Sequence, residues 1–277
     1  MQEEKCCVVS SDKPLDENYW NQQYMANATG WDLGEVAPAT KEYIDALPSK
    51  DIHILIPGCG NAHEAVYLLK QGFTNVTVID IAPVLVNKLK QKFSGAKGIT
   101  IIHGDFFTHS KKYDLIFEQT FFCALPPFMR QQYVFQMHFL LKTGGILAGL
   151  LFDRDFEVGP PFGGSQPEYE NLFRGSFIFR QFSECQNSIE KRFGSELFVE
   201  FEKKEEHTAQ LFAISGISCG NCSTTITEKI LRLDGVGNCS ISTNFKELLL
   251  VSKQKIPLEA LKHLLSYDKE YQIELIK

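Results

Sequence analysis

Ile52-His53-Ile54-Leu55-Ile56-Pro57-Gly58-Cys59-Gly60-Asn61-Ala62-His63 passes from an apolar run into a glycine-broken turn. Ile52 to Ile56 suits a strand buried on both faces, as strands of a parallel sheet are. Pro57 to Gly60 ends that strand, and Ala62 to Gln71 reads as a helix stopped by Gly72. The alternation continues downstream. Strands are expected at 76–79, 99–103, 113–118 and 146–152, and helices at 83–93 and 128–141, the second stopped by Gly144-Gly145. Upstream lie two short helices, 16–25 with Asp16 as N-cap and 38–47. A Gly/Pro loop at 159–164 and a helix at 167–173 follow the fifth strand, and 177–182 with 196–203 reads as a closing hairpin. Strands alternating with helices imply a parallel sheet with right-handed crossovers.

After Lys203-Lys204-Glu205-Glu206-His207 the rhythm changes. Strands at 210–215, 236–241, 246–252 and 271–276 and helices at 223–233 and 257–265 give the order βαββαβ. That order is the ferredoxin-like split βαβ unit. The expected fold class is therefore α/β: a Rossmann-like, mostly parallel sheet with a C-terminal antiparallel hairpin, plus a small ferredoxin-like domain. The expected boundaries are a disordered tail at 1–15, a large domain at 16–203, a linker at 204–208 and the small domain at 209–277. So short a linker permits contact, while relative domain motion is the default expectation.

The chain has 277 residues, 44% hydrophobic and 22% charged, enough for one large domain and one small one. No apolar run reaches the length of a membrane span. Met1-Gln2-Glu3-Glu4-Lys5 lacks the basic start and apolar stretch of a secretory signal. A cytoplasmic location without a membrane partner is expected. The net charge of −6 argues against a nucleic-acid partner, whose phosphates call for clustered Lys and Arg. In a reducing compartment the 8 cysteines stay thiols. Cys123 and Cys185 read as packing residues, and Cys6-Cys7 as part of the polar tail.

Three features converge on the C-terminal ends of the first three strands. Gly58-Cys59-Gly60 lets backbone approach a ligand closely. Asp80 ends the second strand, where an acid accepts hydrogen bonds from ribose hydroxyls. Asp105-Phe106 ends the third, where an acid can accept from an adenine amino group and an aromatic can stack on the ring. The set points to an adenosine ligand, with NAD and S-adenosylmethionine as candidates. A pyrophosphate favours a complete three-glycine fingerprint, which is absent, so the sulfonium cofactor is preferred.

The chain resembles the thiopurine S-methyltransferase superfamily, especially its plant-type thiol and halide methyltransferase branch. The resemblance rests on Trp20, Gly30-Trp31-Asp32-Leu33-Gly34, Ile56-Pro57-Gly58-Cys59-Gly60, Val78-Ile79-Asp80-Ile81 and Gly104-Asp105-Phe106-Phe107. It extends through Tyr113-Asp114-Leu115-Ile116-Phe117-Glu118, Phe122-Cys123-Ala124 and Gly159-Pro160-Pro161-Phe162. It implies a class I methyltransferase fold that binds S-adenosylmethionine. By the same resemblance Trp20, Tyr24 and Trp31 cover the cofactor, and Gly58, Asp80, Ile81, Asp105, Phe106, Glu118 and Gln119 hold it. Tyr24 stands where the branch often has Trp, and Gln119 where it has an aromatic. The implied reaction is in-line displacement of a sulfonium methyl group by a small molecule. An acceptor that is already an anion needs positioning and desolvation more than a base. Phe121, Phe122, Phe152 and Phe162 are the candidate walls of its apolar pocket, with Phe152 where some relatives have Tyr.

Gly216-Ile217-Ser218-Cys219-Gly220-Asn221-Cys222 resembles the metal loop of the heavy-metal-associated domain. Two thiolates at a helix start suit a soft ion, Cu(I), or Zn(II) with further ligands. Cys219 and Cys222 are thus the candidate metal ligands, with metal-transfer proteins as possible partners. A redox Cys-x-x-Cys and a metal-free domain are the rivals. Cys239 reads as structural, and Tyr267 and Lys269 as residues near the metal loop. Two functions follow: a methyltransferase for a small thiol, halide, chalcogen or metalloid anion carrying a metal domain, or a metal chaperone or sensor in which methyl transfer is secondary.

Overall fold

A computed structural model describes residues 14–266 and 271–277. Cys6, Cys7, most of the expected tail, Tyr267 and Lys269 lie outside them. The large domain runs α1 (Glu17–Met25), α2 (Pro38–Ala46), β1 (Ile54–Pro57), α3 (His63–Lys70), β2 (Val76–Asp80), α4 (Pro83–Lys92), β3 (Ile99–His103) and β4 (Tyr113–Gln119). It continues with α5 (Arg130–Leu140), β5 (Leu141–Phe152), α6 (Gln166–Phe173), β6 (Phe177–Glu184) and β7 (Glu196–Lys203). The small domain is β8 (Thr208–Ser215), α7 (Gly220–Leu231), β9 (Val236–Ile241), β10 (Glu247–Ser252), α8 (Leu258–Leu265) and β11 (Gln272–Leu275).

The large sheet has the order β3-β2-β1-β4-β5-β7-β6. Its first five strands pair in parallel, and β7 runs antiparallel between β5 and β6. This is the Rossmann-like sheet with a terminal hairpin that the sequence implied. Buried Ile54, Leu55 and Ile56 make β1 a two-face core strand. The strand begins at Ile54 rather than Ile52. The order reverses beside β1, because β2 and β4 flank it, and that reversal opens a crevice at the strands' carboxyl ends.

Two local readings need correction. α5 ends at Leu140, before the glycine pair, because Leu141 turns extended and pairs with Tyr113 of β4. α7 begins at Gly220 rather than Ser223, so Cys219 is its N-cap residue and Cys222 lies in its first turn.

The small sheet has the order β11-β8-β10-β9, antiparallel throughout. One face, with Phe212, Ile214, Leu248 and Leu250, packs beneath α7 and α8. The other face carries Leu211, Leu249 and Val251, which belong to the large domain's own apolar cluster with Tyr133, Met137 and Leu140 of α5. α5 is accordingly buried on nearly every side. The default of free inter-domain motion gives way here to a packed apolar contact. Polar links flank it: Gln132 Nε2 donates to Glu247, and Asn238 Nδ2 donates to the Asn171 carbonyl at 3.0 Å. Among the described residues no helix is long and apolar enough to cross a membrane.

Candidate active site

A cavity of about 680 Å³ fills the crevice at the carboxyl ends of β1, β2, β4 and β5. Its floor is Gly58, Cys59 and Gly60. Gly58 holds φ +54°, and a Cβ there would lie 2.2 Å from the Phe121 ring, so only glycine leaves the gap between turn and ring open.

Asp80 closes β2 at the cavity wall, nearly buried. Its Oδ1 accepts from Ala82 N at 2.9 Å and its Oδ2 from Gly60 N at 3.4 Å. Burial pushes its carboxyl up to about 6, against the pull of those backbone donors and that of Ile81. Asp105 caps a one-turn 3-10 helix, its Oδ1 accepting from Phe107 N at 2.9 Å. Phe106 is buried beside it, its ring edge-on to Phe121 at 5.2 Å. Ile81, Asp105 and Phe106 all line the cavity.

Trp20, Tyr24 and Trp31 form a roof. Trp31 meets Trp20 at 5.7 Å and Tyr24 at 5.9 Å between ring centroids, both edge to face. What ties this roof down was not assigned from the sequence. Asp32 accepts from Gly34 N at 2.8 Å, from His63 Nε2 at 2.7 Å and from Asn61 Nδ2. Partial burial works to raise the Asp32 carboxyl, and these donors outweigh it and hold it low. The position that a dinucleotide fingerprint gives to its third glycine is thus occupied by His63, whose side chain latches the roof to the floor. The Trp-Asp-x-Gly motif contained Asp32, but its partners stand 29 and 31 residues away. Glu64 is another cavity residue missed: it is buried, and burial raises its carboxyl.

Of the four candidate acceptor-pocket phenylalanines, Phe121 and Phe152 line the cavity. Phe122 does not. It is buried in the core against Tyr133, Tyr169 and Phe173. Phe162 also turns away, its backbone N–H donating to the Cys123 carbonyl, and Pro160 and Pro161 take its place at the wall. Glu118 stays beneath the surface as well. Its Oε1 accepts from Phe121 N at 2.8 Å and Phe122 N at 2.9 Å, and Tyr133 donates to Oε2. Glu118 therefore shapes the turn that carries Phe121. Burial pushes its carboxyl up to about 7, opposed by Tyr133 and the two backbone donors.

Arg192, from the β6–β7 connection, lines the cavity beside Phe152 with its side chain 12% exposed. It donates to the Trp31 carbonyl at 3.1 Å, pairs with Glu196 at 3.2 Å and lies over the Phe152 ring at 5.2 Å. In the small domain, the Sγ atoms of Cys219 and Cys222 are 2.9 Å apart, and Cys219 is exposed.

Residues 15–210 match the sequence profile of the thiopurine S-methyltransferase family. The chain belongs to that family. Residues 211–253 match the heavy-metal-associated domain. Similar proteins include a probable thiol methyltransferase 2 of Arabidopsis thaliana, 36% identical over 159 residues, 55% of this chain and 70% of that one. Thiocyanate methyltransferase 1 of Brassica oleracea is 30% identical over 57% of this chain and 72% of its own. Among solved structures, Burkholderia thailandensis 1,6-didemethyltoxoflavin-N1-methyltransferase shares the fold, with a TM-score of 0.56 at 17% identity over 68% of this chain and 87% of that one.

The protein is thus an S-adenosylmethionine-dependent methyltransferase with a heavy-metal-associated domain. The cavity fits that cofactor on its own evidence. Gln119 Nε2 is buried at the wall with no partner among the described residues, an unmet donor that a bound ligand's acceptor would satisfy. Asp80 presents a buried carboxylate beside the glycine turn. The Asp80 value predicts a pH dependence. A ribose diol donating to this carboxylate would favour the ionised form. Affinity should be full well above pH 6 and fall as pH drops through about 6, by at most about tenfold per unit for one proton. Calorimetric titration with S-adenosylhomocysteine from pH 5 to 8 measures this, and Asp80→Asn should flatten the profile.

Proposed function

We propose that this methyltransferase acts on a small soft anion: a thiolate, sulfide, thiocyanate, halide or metalloid anion. The observation that carries the reading is the acceptor end of the cavity. Phe121, Leu125, Phe152, Pro160 and Pro161 give it apolar walls, and Arg192 is the only Lys or Arg among the described lining residues. Apolar walls strip water from an incoming anion, and one guanidinium offsets the cost of doing so. Cys123 also lines this end, but burial, with nearby Glu118, raises its thiol so far that it stays neutral.

The remaining roles follow from position. Asp80 would accept from the ribose hydroxyls. Asp105 would accept from the adenine amino group while Phe106 and Ile81 flank the ring. Gly58 and Gly60 admit close backbone approach. Asp32, Glu64 and Gln119 surround the space for the amino-acid end. S-Adenosylmethionine supplies a methyl group on a positively charged sulfur. Trp20, Tyr24 and Trp31, which line the cavity, would stabilise that charge with their rings and exclude water from it. The similarity to thiol and thiocyanate methyltransferases supports the acceptor class.

Cys219 and Cys222 would hold a soft ion. Two thiolates bound to one ion at about 2.3 Å each sit up to about 4.6 Å apart, so these sulfurs, 2.9 Å apart at the N-terminus of α7, would move apart to hold it. Two sulfurs alone suit Cu(I), whereas Zn(II) calls for more ligands. An exposed Cys219 leaves the ion open to exchange with a metal-transfer protein. A reducing, cytoplasmic setting keeps both thiols competent.

The test is a methyl-transfer assay on the full chain against sulfide, thiocyanate, iodide, small thiols and selenite. Methylation of at least one anion is expected, with Arg192→Met raising KM for it by about tenfold, since a charged hydrogen bond contributes about 1.5–3 kcal/mol. Turnover only of a large neutral acceptor would defeat the reading. Absence of any turnover, with tight Cu(I) binding, would favour a metal chaperone instead.

A further inference from the structure

Gln136 is buried on α5, and its Nε2 donates to two carbonyls of one turn, Phe106 O and His109 O, each at 2.8 Å. That turn carries Asp105 and Phe106, which line the adenine end of the cavity. The same helix packs against Leu211, Leu249 and Val251 of the small domain, and Gln132, one turn before Gln136, donates to Glu247 of β10. A second link bypasses the helix. Lys277 Nζ donates to the Phe107 carbonyl, and the Lys277 backbone is hydrogen-bonded to Leu211 of β8. The turn that would meet the adenine ring is therefore held from the small domain along two routes.

We infer that the small domain is a positioning element of the cofactor site, fixing the 105–109 turn through Gln136 on the docked α5 and directly through Lys277. Free carbonyls on a short turn offer little to define its shape, and two donors from a buried amide set it firmly. A helix packed on both faces moves only if one partner moves. Undocking the small domain would loosen α5, slacken the turn and weaken adenosine binding. Reciprocity then requires that adenosine binding tighten the docking. This role needs no metal at Cys219 and Cys222.

Three measurements on the full chain test it. Leu249→Arg places a charge in the interface and should raise the Kd for S-adenosylhomocysteine by about tenfold, within the usual range of coupling between sites. Lys277→Met should raise KM for S-adenosylmethionine about threefold with kcat unchanged, and Lys277→Arg should restore it. In the unmodified protein, S-adenosylhomocysteine should slow amide hydrogen exchange not only in 105–109 but also in Leu211 and Leu248–Val251. That third measurement decides the matter if Leu249→Arg fails to fold. Unaltered exchange in β8 and β10 on binding, or unchanged affinity in an undocked Leu249→Arg protein, overturns the inference.

Discussion

Asp80→Ala should reduce S-adenosylmethionine affinity by more than about a hundredfold, because hydrogen bonds to a charged group contribute about 1.5–3 kcal/mol each and a ribose offers two. The alanine also removes the acceptor for Gly60 N and Ala82 N, so the glycine turn loses its anchor. Isothermal calorimetry measures the loss directly. A far-ultraviolet spectrum like that of the parent would show that the sheet survives. The variant removes a buried carboxylate whose pKa is raised, and that carboxylate is itself costly to bury, so unfolding is not the expected result.

The second large effect is expected at the other end of the chain. Replacing both Cys219 and Cys222 with serine should lower soft-metal affinity by roughly three orders of magnitude or more, since the thiolates are the soft donors. A competition titration of Cu(I) against a chromophoric chelator would read it. Cys219 is exposed and Cys222 half-buried, so the domain's core of Phe212, Ile226, Leu250 and Leu261 is untouched and the melting temperature of the metal-free protein should hold. Retained affinity would mean that the ion is bound elsewhere.

The strands were legible because each is a short apolar run bounded by Gly, Pro or a polar residue, and the ligand-facing residues sit at their ends. Asp80 and Asp105 could be picked out for that reason alone. The phenylalanines were harder. Phe121 and Phe122 are neighbours in sequence, yet the turn held by Glu118 sends the first into the cavity and the second into the core. No local pattern separates them. Phe162 failed for a related reason: its loop presents the two prolines before it instead.

Long-range partners were not legible either. Nothing near Asp32 announces Asn61 or His63, and nothing near Trp31 announces Arg192. β10 is buried along nearly its whole length, and its sequence does not say what covers its second side. The answer, α5, carries an unusually complete set of buried residues. The helix α7 reaches back past Cys222 to a cap at Cys219 because Gly220 and Asn221, although weak helix formers, occupy its first turn, where intrahelical hydrogen bonds are not yet required of them.

A crystal structure of the full chain with S-adenosylhomocysteine tests the central claim most directly. The ribose diol should bind Asp80, the adenine should lie between Ile81 and Phe106 with its amino group toward Asp105, and the sulfur should face Phe121, Phe152 and Arg192 beneath Trp20 and Trp31. A nucleoside seated elsewhere, or one whose sulfur points away from Phe152 and Arg192, would contradict the account.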